Sequence, residues 1–260
     1  MRIRPRLRIG ITVFLAYAAW VFAAWKFRAI DYTTVGSESG LMFAVVQPLG
    51  VAALALGAFL TYAGWWRATL FEPQRLHRPV LLAVLLAMML GFIAVVLSSA
   101  DFGTIAPRHL LLLVVGTLLV GFCEEMVTRG VLVVSLRSGP RSEAWVWFWS
   151  SALFGLLHAT NAFFGIGAVA LLQVVAAFCV GTGLYLLRRF TGTLLVPIVL
   201  HALWDFSTLA SSQGGGQTHA PLQLGMQLGT YLLCLVLAFI ALRHGAGAVP
   251  TRDPAGRGRP

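Results

Sequence analysis

The sequence predicts an all-α fold: a polytopic transmembrane helical bundle of about eight spans, with both termini cytoplasmic. Three observations predict it. Only 11% of the 260 residues are charged, while 58% are hydrophobic, and mean hydropathy is +0.84. A soluble domain carries about 25% charged residues, so much of this surface must face lipid. Several apolar runs reach the roughly 20 residues needed to cross a bilayer. They are continuous, which excludes the short alternating strands of a membrane barrel. The basic residues, finally, alternate between connections in a way that supports an even number of crossings.

The spans fall at about 9–27, 41–63, 80–98, 109–136, 144–161, 166–187, 193–211 and 222–242, each an apolar stretch closed off by charged, Gly- or Pro-containing connections. Arginines at 2, 4, 6, 8, 67, 75, 78, 137, 141, 188, 189, 243, 252, 257 and 259 would share one side, and only Lys26, Arg28 and Arg108 the other. That is 15 against 3, and the positive-inside rule places the first group in the cytoplasm. The first apolar stretch, Ile9 to Trp25, is longer than a signal-peptide core and is expected to stay as a span. Residues 1–244 form the membrane domain, with a core at 80–210. The Gly- and Pro-rich stretch 245–260 is expected to be a disordered cytoplasmic tail.

The net charge of +10 does not point to nucleic acid, because the basic residues are spread over loop after loop. Cys123, Cys179 and Cys234 all sit in apolar runs, and an odd number of buried thiols argues against a disulfide framework. Trp residues near span ends, such as Trp65, Trp66 and Trp145, fit an aromatic belt.

A few charges stand where lipid should be. An ionisable residue near the bilayer centre costs at least ~2.5–3.5 kcal/mol on insertion scales. Glu124, Glu125, Arg129 and Asp205 bear that cost, and His158 and His201 join them in or near spans. Glu125 and Arg129 are four residues apart and can pair on one helical face. Glu124 points elsewhere and needs another partner or a proton. His201 and Asp205 share a face at the same spacing, one that can hold a metal or orient a water. Asn161 stands one turn beyond His158. Should these faces converge, a carboxylate beside an imidazole forms a general-base pair, and the second His with its polar neighbour stabilises an oxyanion. The chemistry suggested is hydrolysis of an acyl bond inside the membrane.

The stretches EEMVTRG (124–130), FGLLH (154–158) and HALWD (201–205) read as EExxxR, FxxxH and HxxxD, in that order and on separate spans. The set resembles the CPBP family of intramembrane proteases, which includes the type II CAAX-processing endopeptidases and the bacterial Abi proteins linked to bacteriocin maturation and immunity. The resemblance covers roughly residues 80–210. It implies that Glu124 is the base that activates water and His158 its partner. His201 and Asp205 become the oxyanion-stabilising or metal-binding pair, and Glu125, Arg129 and Phe154 supporting residues. It leaves open whether a divalent metal such as zinc, held by Glu124, His158, His201 and Asp205, takes part, or no metal at all. It implies a membrane-anchored or lipidated polypeptide as substrate. Many members carry Asn where this chain has Asp205, and Asp donates a hydrogen bond only when protonated.

Two other readings fit parts of the sequence. A non-catalytic scaffold or bacteriocin-immunity protein would keep the fold but has no need of buried ionisable groups. A proton-coupled transporter would use them as a relay, yet the chain shows no repeated halves. The Ala-, Gly- and Arg-rich composition points to a bacterial inner membrane.

Overall fold

The computed structural model describes residues 1–213 and 219–243, and the expected tail at 245–260 lies outside them. Eight helices account for the spans: α1 (Leu7–Phe27), α2 (Glu38–Ala63), α3 (Pro79–Leu97), α4 (Pro107–Leu136), α5 (Glu143–Leu157), α6 (Val169–Thr191), α7 (Leu195–Gln213) and α8 (Ala220–Arg243). Among the described residues there is no β-strand, only an isolated antiparallel bridge between Phe71 and Thr193. The chain is thus an all-α helical bundle, as expected.

Seven of the helices are long and apolar enough to cross a membrane. The exception is α5, with 15 residues. At 1.5 Å per residue it spans only about 22 Å. A 3-10 segment, His158–Phe163, continues it towards the far end. The stretch expected as the fifth span is therefore a short helix capped by a tighter turn, and His158 is the first residue of that turn.

Local chemistry sets the boundaries. Pro79 and Pro107 open α3 and α4 at positions where a missing N–H costs nothing. The Ser142 hydroxyl accepts from the Trp145 N–H to start α5. Gly192, at φ 81°, ends α6 in a left-handed conformation that suits glycine. Two helices are interrupted by π-helical turns, Leu41–Val46 in α2 and Met126–Leu132 in α4. Such turns reset which face a helix presents and often mark functional sites. The second begins directly after Glu125.

One end of the bundle gathers the basic residues. The Arg2 N–H donates to the Ala63 carbonyl, and the Trp65 indole to the Ile3 carbonyl. The Leu76 N–H reaches the Arg189 carbonyl, and Ile240 lies beside Arg78. The starts of α1, α3, α5 and α7 and the ends of α2, α4, α6 and α8 therefore meet there, and both described termini lie at this end. Trp65 is fully buried there rather than part of a belt.

Several arginines of this end are not solvated either. Glu72 accepts from Arg137 at 3.0 Å and from Arg188 at 3.1 Å. Glu143 pairs with Arg137, Arg189 and the Tyr185 hydroxyl. This buried ionic network staples the connections before α3 and α5 to the end of α6.

Candidate active site

α4 and α7 approach until backbone meets backbone. A Cβ added at Gly121 would lie 2.5 Å from the Ile198 carbonyl oxygen and 3.1 Å from the Ala202 nitrogen. Close approach of this kind, permitted by small residues, drives helix association in lipid. It brings Glu124 and Glu125, one turn on, against His201.

His201 is the hub. Its Nδ1 lies 3.1 Å from Glu125 Oε1, and a carboxylate oxygen can only accept, so Nδ1 carries the proton. The same oxygen accepts from Arg129 Nη1 at 2.8 Å. Glu125 and Arg129 are both fully buried. The guanidinium lies 3.9 Å from the centre of the Phe154 ring, a cation–π contact. Phe154 also meets His158 and His201 edge-on, with centroids 5.3 and 5.6 Å away. Glu125, expected to pair with Arg129 and to support the site, also fixes the tautomer and orientation of His201.

The other edge of His201 faces two more acids. Nε2 lies 3.6 Å from Asp205 Oδ2 and 4.0 Å from Glu124 Oε2. Both separations are too long for hydrogen bonds and too short for a water to lie between the atoms, so a small molecule would bridge them from the cavity side. Glu124 Oε2 is buried without a hydrogen-bond partner. The Glu124 and Asp205 side chains are 17% and 29% exposed, against 6% for His201. The two acids are thus the groups that the cavity reaches.

His158 approaches from another helix. Its Nδ1 lies 3.1 Å from the Phe154 carbonyl oxygen. That oxygen accepts, so Nδ1 is the protonated nitrogen and Nε2 keeps its lone pair. Glu124, His158, Asn161 and Asp205 all line one cavity of about 220 Å³. Asn161 donates to Gln173 Oε1 at 2.9 Å, and Gln173 Nε2 reaches the Tyr32 hydroxyl at 2.5 Å. Asn161 therefore belongs to a polar chain along the cavity wall.

The four residues proposed as metal ligands do not form a metal cluster. Among the described residues no group of three His, Cys, Asp or Glu side chains is placed to hold an ion. His158 and His201 each engage Nδ1 with an acceptor, which leaves both Nε2 atoms free, as in histidines that ligate metals.

Sequence reasoning missed Tyr17, Tyr32 and Gln173, which also line the cavity. Gln173 could have been found by the criterion that found Glu124, an amide inside an apolar span. Tyr32 belongs to a connecting segment and carries no such signal. The cysteines are free and buried, as expected.

Residues 106–207 match the family of type II CAAX prenyl endopeptidase Rce1-like proteins. The match bears out the resemblance read from EExxxR, FxxxH and HxxxD, over a segment running from the start of α4 into α7 and holding all three motifs. α1, α2, α3 and α8 lie outside it. No curated protein and no solved structure matches the chain.

Proposed function

We propose that the chain is an intramembrane endopeptidase that hydrolyses a peptide bond of a membrane-anchored or lipidated polypeptide. The match to the Rce1-like endopeptidases supports a membrane protease in coarse outline. The observation that carries the finer reading is the cavity itself. It collects an unpartnered carboxylate, an imidazole with a free nitrogen and a second acid held beside an oriented imidazole.

In this reading Glu124 is the general base. A water held between Glu124 and His158 Nε2 loses a proton to the carboxylate as its oxygen attacks the scissile carbonyl. Negative charge develops on the carbonyl oxygen, which turns towards His201 Nε2 and Asp205. His201 supplies that stabilisation when Nε2 is protonated, and Glu125, accepting from Nδ1, holds the ring in place. Asp205 donates in its protonated form. The proton taken by Glu124 then passes to the leaving amine, so that water is consumed and two chain ends appear. Arg129 neutralises Glu125 and keeps its oxygen aimed at His201, with Phe154 filling the space between the imidazoles. Each step in this reading is carried by these side chains.

The test is cleavage by purified protein reconstituted with lipid-anchored fluorogenic peptides. Glu124→Ala and His158→Ala should each abolish turnover while leaving the melting temperature of the detergent-purified protein unchanged. Full activity in Glu124→Ala would refute the assignment. A scaffold function would leave cellular phenotypes intact in the same variant.

A further inference from the structure

The cavity occupies only one half of the bundle's depth. α1 starts at the basic end, and its lining residues begin at Tyr17 and run to Trp25. α2 starts at the opposite end, and its lining residues run from Leu41 only as far as Leu49. On α7, which leaves the basic end at Leu195, the lining comprises Asp205, Thr208 and Leu209. α6 contributes Gln173, near its start at the opposite end, and the segment after α5 contributes Thr160 and Asn161. On all these elements the lining residues lie on the half facing away from the arginines, with Glu124 and Asp205 at the floor.

Towards the basic end the floor is closed. Glu125, Arg129 and Arg188 are fully buried beneath it and do not line the cavity. Arg188 hydrogen-bonds the Arg129 carbonyl oxygen and pairs with Glu72. That network fills the space through which a chain from the basic side would have to pass. The mouth at the other end is different. Tyr32, Thr160, Asn161, Gln173 and Thr208 are uncharged hydrogen-bonding groups, set among apolar walls such as Trp25 and Leu41.

We propose that the cavity is loaded from the arginine-poor face. The polypeptide it takes presents an uncharged juxtamembrane segment on the side of the membrane opposite this chain's Met1 and Arg243 ends. This deepens the proteolytic reading and rests on it for the word substrate, although the direction of access does not depend on catalysis. By the positive-inside rule that side is the non-cytoplasmic one. A tail that stays on the cytoplasmic side is not reached.

The experiment is sided thiol labelling of the full chain, with Cys123, Cys179 and Cys234 changed to Ala. Single cysteines are introduced as Thr160→Cys and, separately, Thr208→Cys. Ser39→Cys reports the arginine-poor face, and His77→Cys, at an exposed position, the basic face. A charged, membrane-impermeant maleimide is applied to right-side-out and to inverted membrane vesicles. The proposal expects Thr160→Cys and Thr208→Cys to label in the preparation that labels Ser39→Cys, with labelling lost in the one that labels His77→Cys. Labelling with His77→Cys, or in neither preparation, overturns it. Because the readout is chemical access, a failed protease assay with the expected labelling removes only the enzymatic reading. Peptide cleavage combined with labelling from the His77 side removes only the direction of access.

Discussion

Three carboxylates surround one imidazole at His201, and each has a different distance and a different task. Glu125 touches Nδ1 at 3.1 Å, whereas Asp205 and Glu124 stand 3.6 and 4.0 Å from Nε2. Spacing along the chain made one of these relations legible beforehand, the shared face of His201 and Asp205, and with it the pairing of Glu125 with Arg129. The bond from Glu125 to His201 was not legible, because it depends on how closely α4 and α7 approach. Asp205 is where this chain departs from the commoner Asn of the family it resembles, and it yields a prediction at this scale. If Asp205 acts as an oxyanion donor, Asp205→Ala should lower kcat by roughly 10²-fold or more, the usual loss for one such donor. Asp205→Asn keeps a donor at every pH. It should restore most of the rate and remove the decline expected of the wild type as rising pH takes the proton from Asp205. The check is a pH–rate profile of all three proteins. An Asn variant as inactive as the Ala variant would mean that the carboxylate charge itself is needed.

Helices carry those side chains to one place, and their edges were well marked in the sequence by Pro, Gly and charge. The predicted 80–98 span is Pro79–Leu97, and 109–136 is Pro107–Leu136. What periodicity could not reveal is irregularity within an element. The π-helical turn at Met126–Leu132 and the 3-10 turn at His158–Phe163 both adjoin site residues. A hydropathy pattern averages over such turns. Nor could sequence separate Arg137, Arg188 and Arg189, which are paired with Glu72 and Glu143, from the truly solvated arginines of the same end. The contact that matters most between elements is the crossing of α4 and α7 at Gly121. Any side chain there meets the Ile198 carbonyl oxygen, a backbone atom that cannot simply turn away. Gly121→Val should therefore push the helices apart, at a cost of about 1–3 kcal/mol of stability for overpacking. Separating Glu125 from His201 should lower activity more than the same loss of stability does elsewhere. Melting temperature and turnover, measured together, check this against Gly225→Val, where an added Cβ meets nothing.

Over the whole molecule, an apolar bundle surrounds a cavity of apolar walls and a few polar groups that reaches from mid-depth towards the arginine-poor end, while an ionic network closes the other end. Composition alone predicted the bundle, since a chain this apolar has only lipid to face. The position of the cavity needed coordinates, because part of its wall comes from α1, α2 and the segment around Tyr32, where no motif stands. The central claim is that Glu124, at the floor of that cavity, drives hydrolysis of a membrane polypeptide. It is tested most directly by comparing the N-terminal peptides of membrane proteins from cells expressing the wild type with those from cells expressing Glu124→Gln, at matched protein levels. The account predicts at least one polypeptide whose new N-terminus is present with the wild type and missing with Glu124→Gln, while its uncut precursor accumulates. Identical sets of N-termini in the two strains would contradict it.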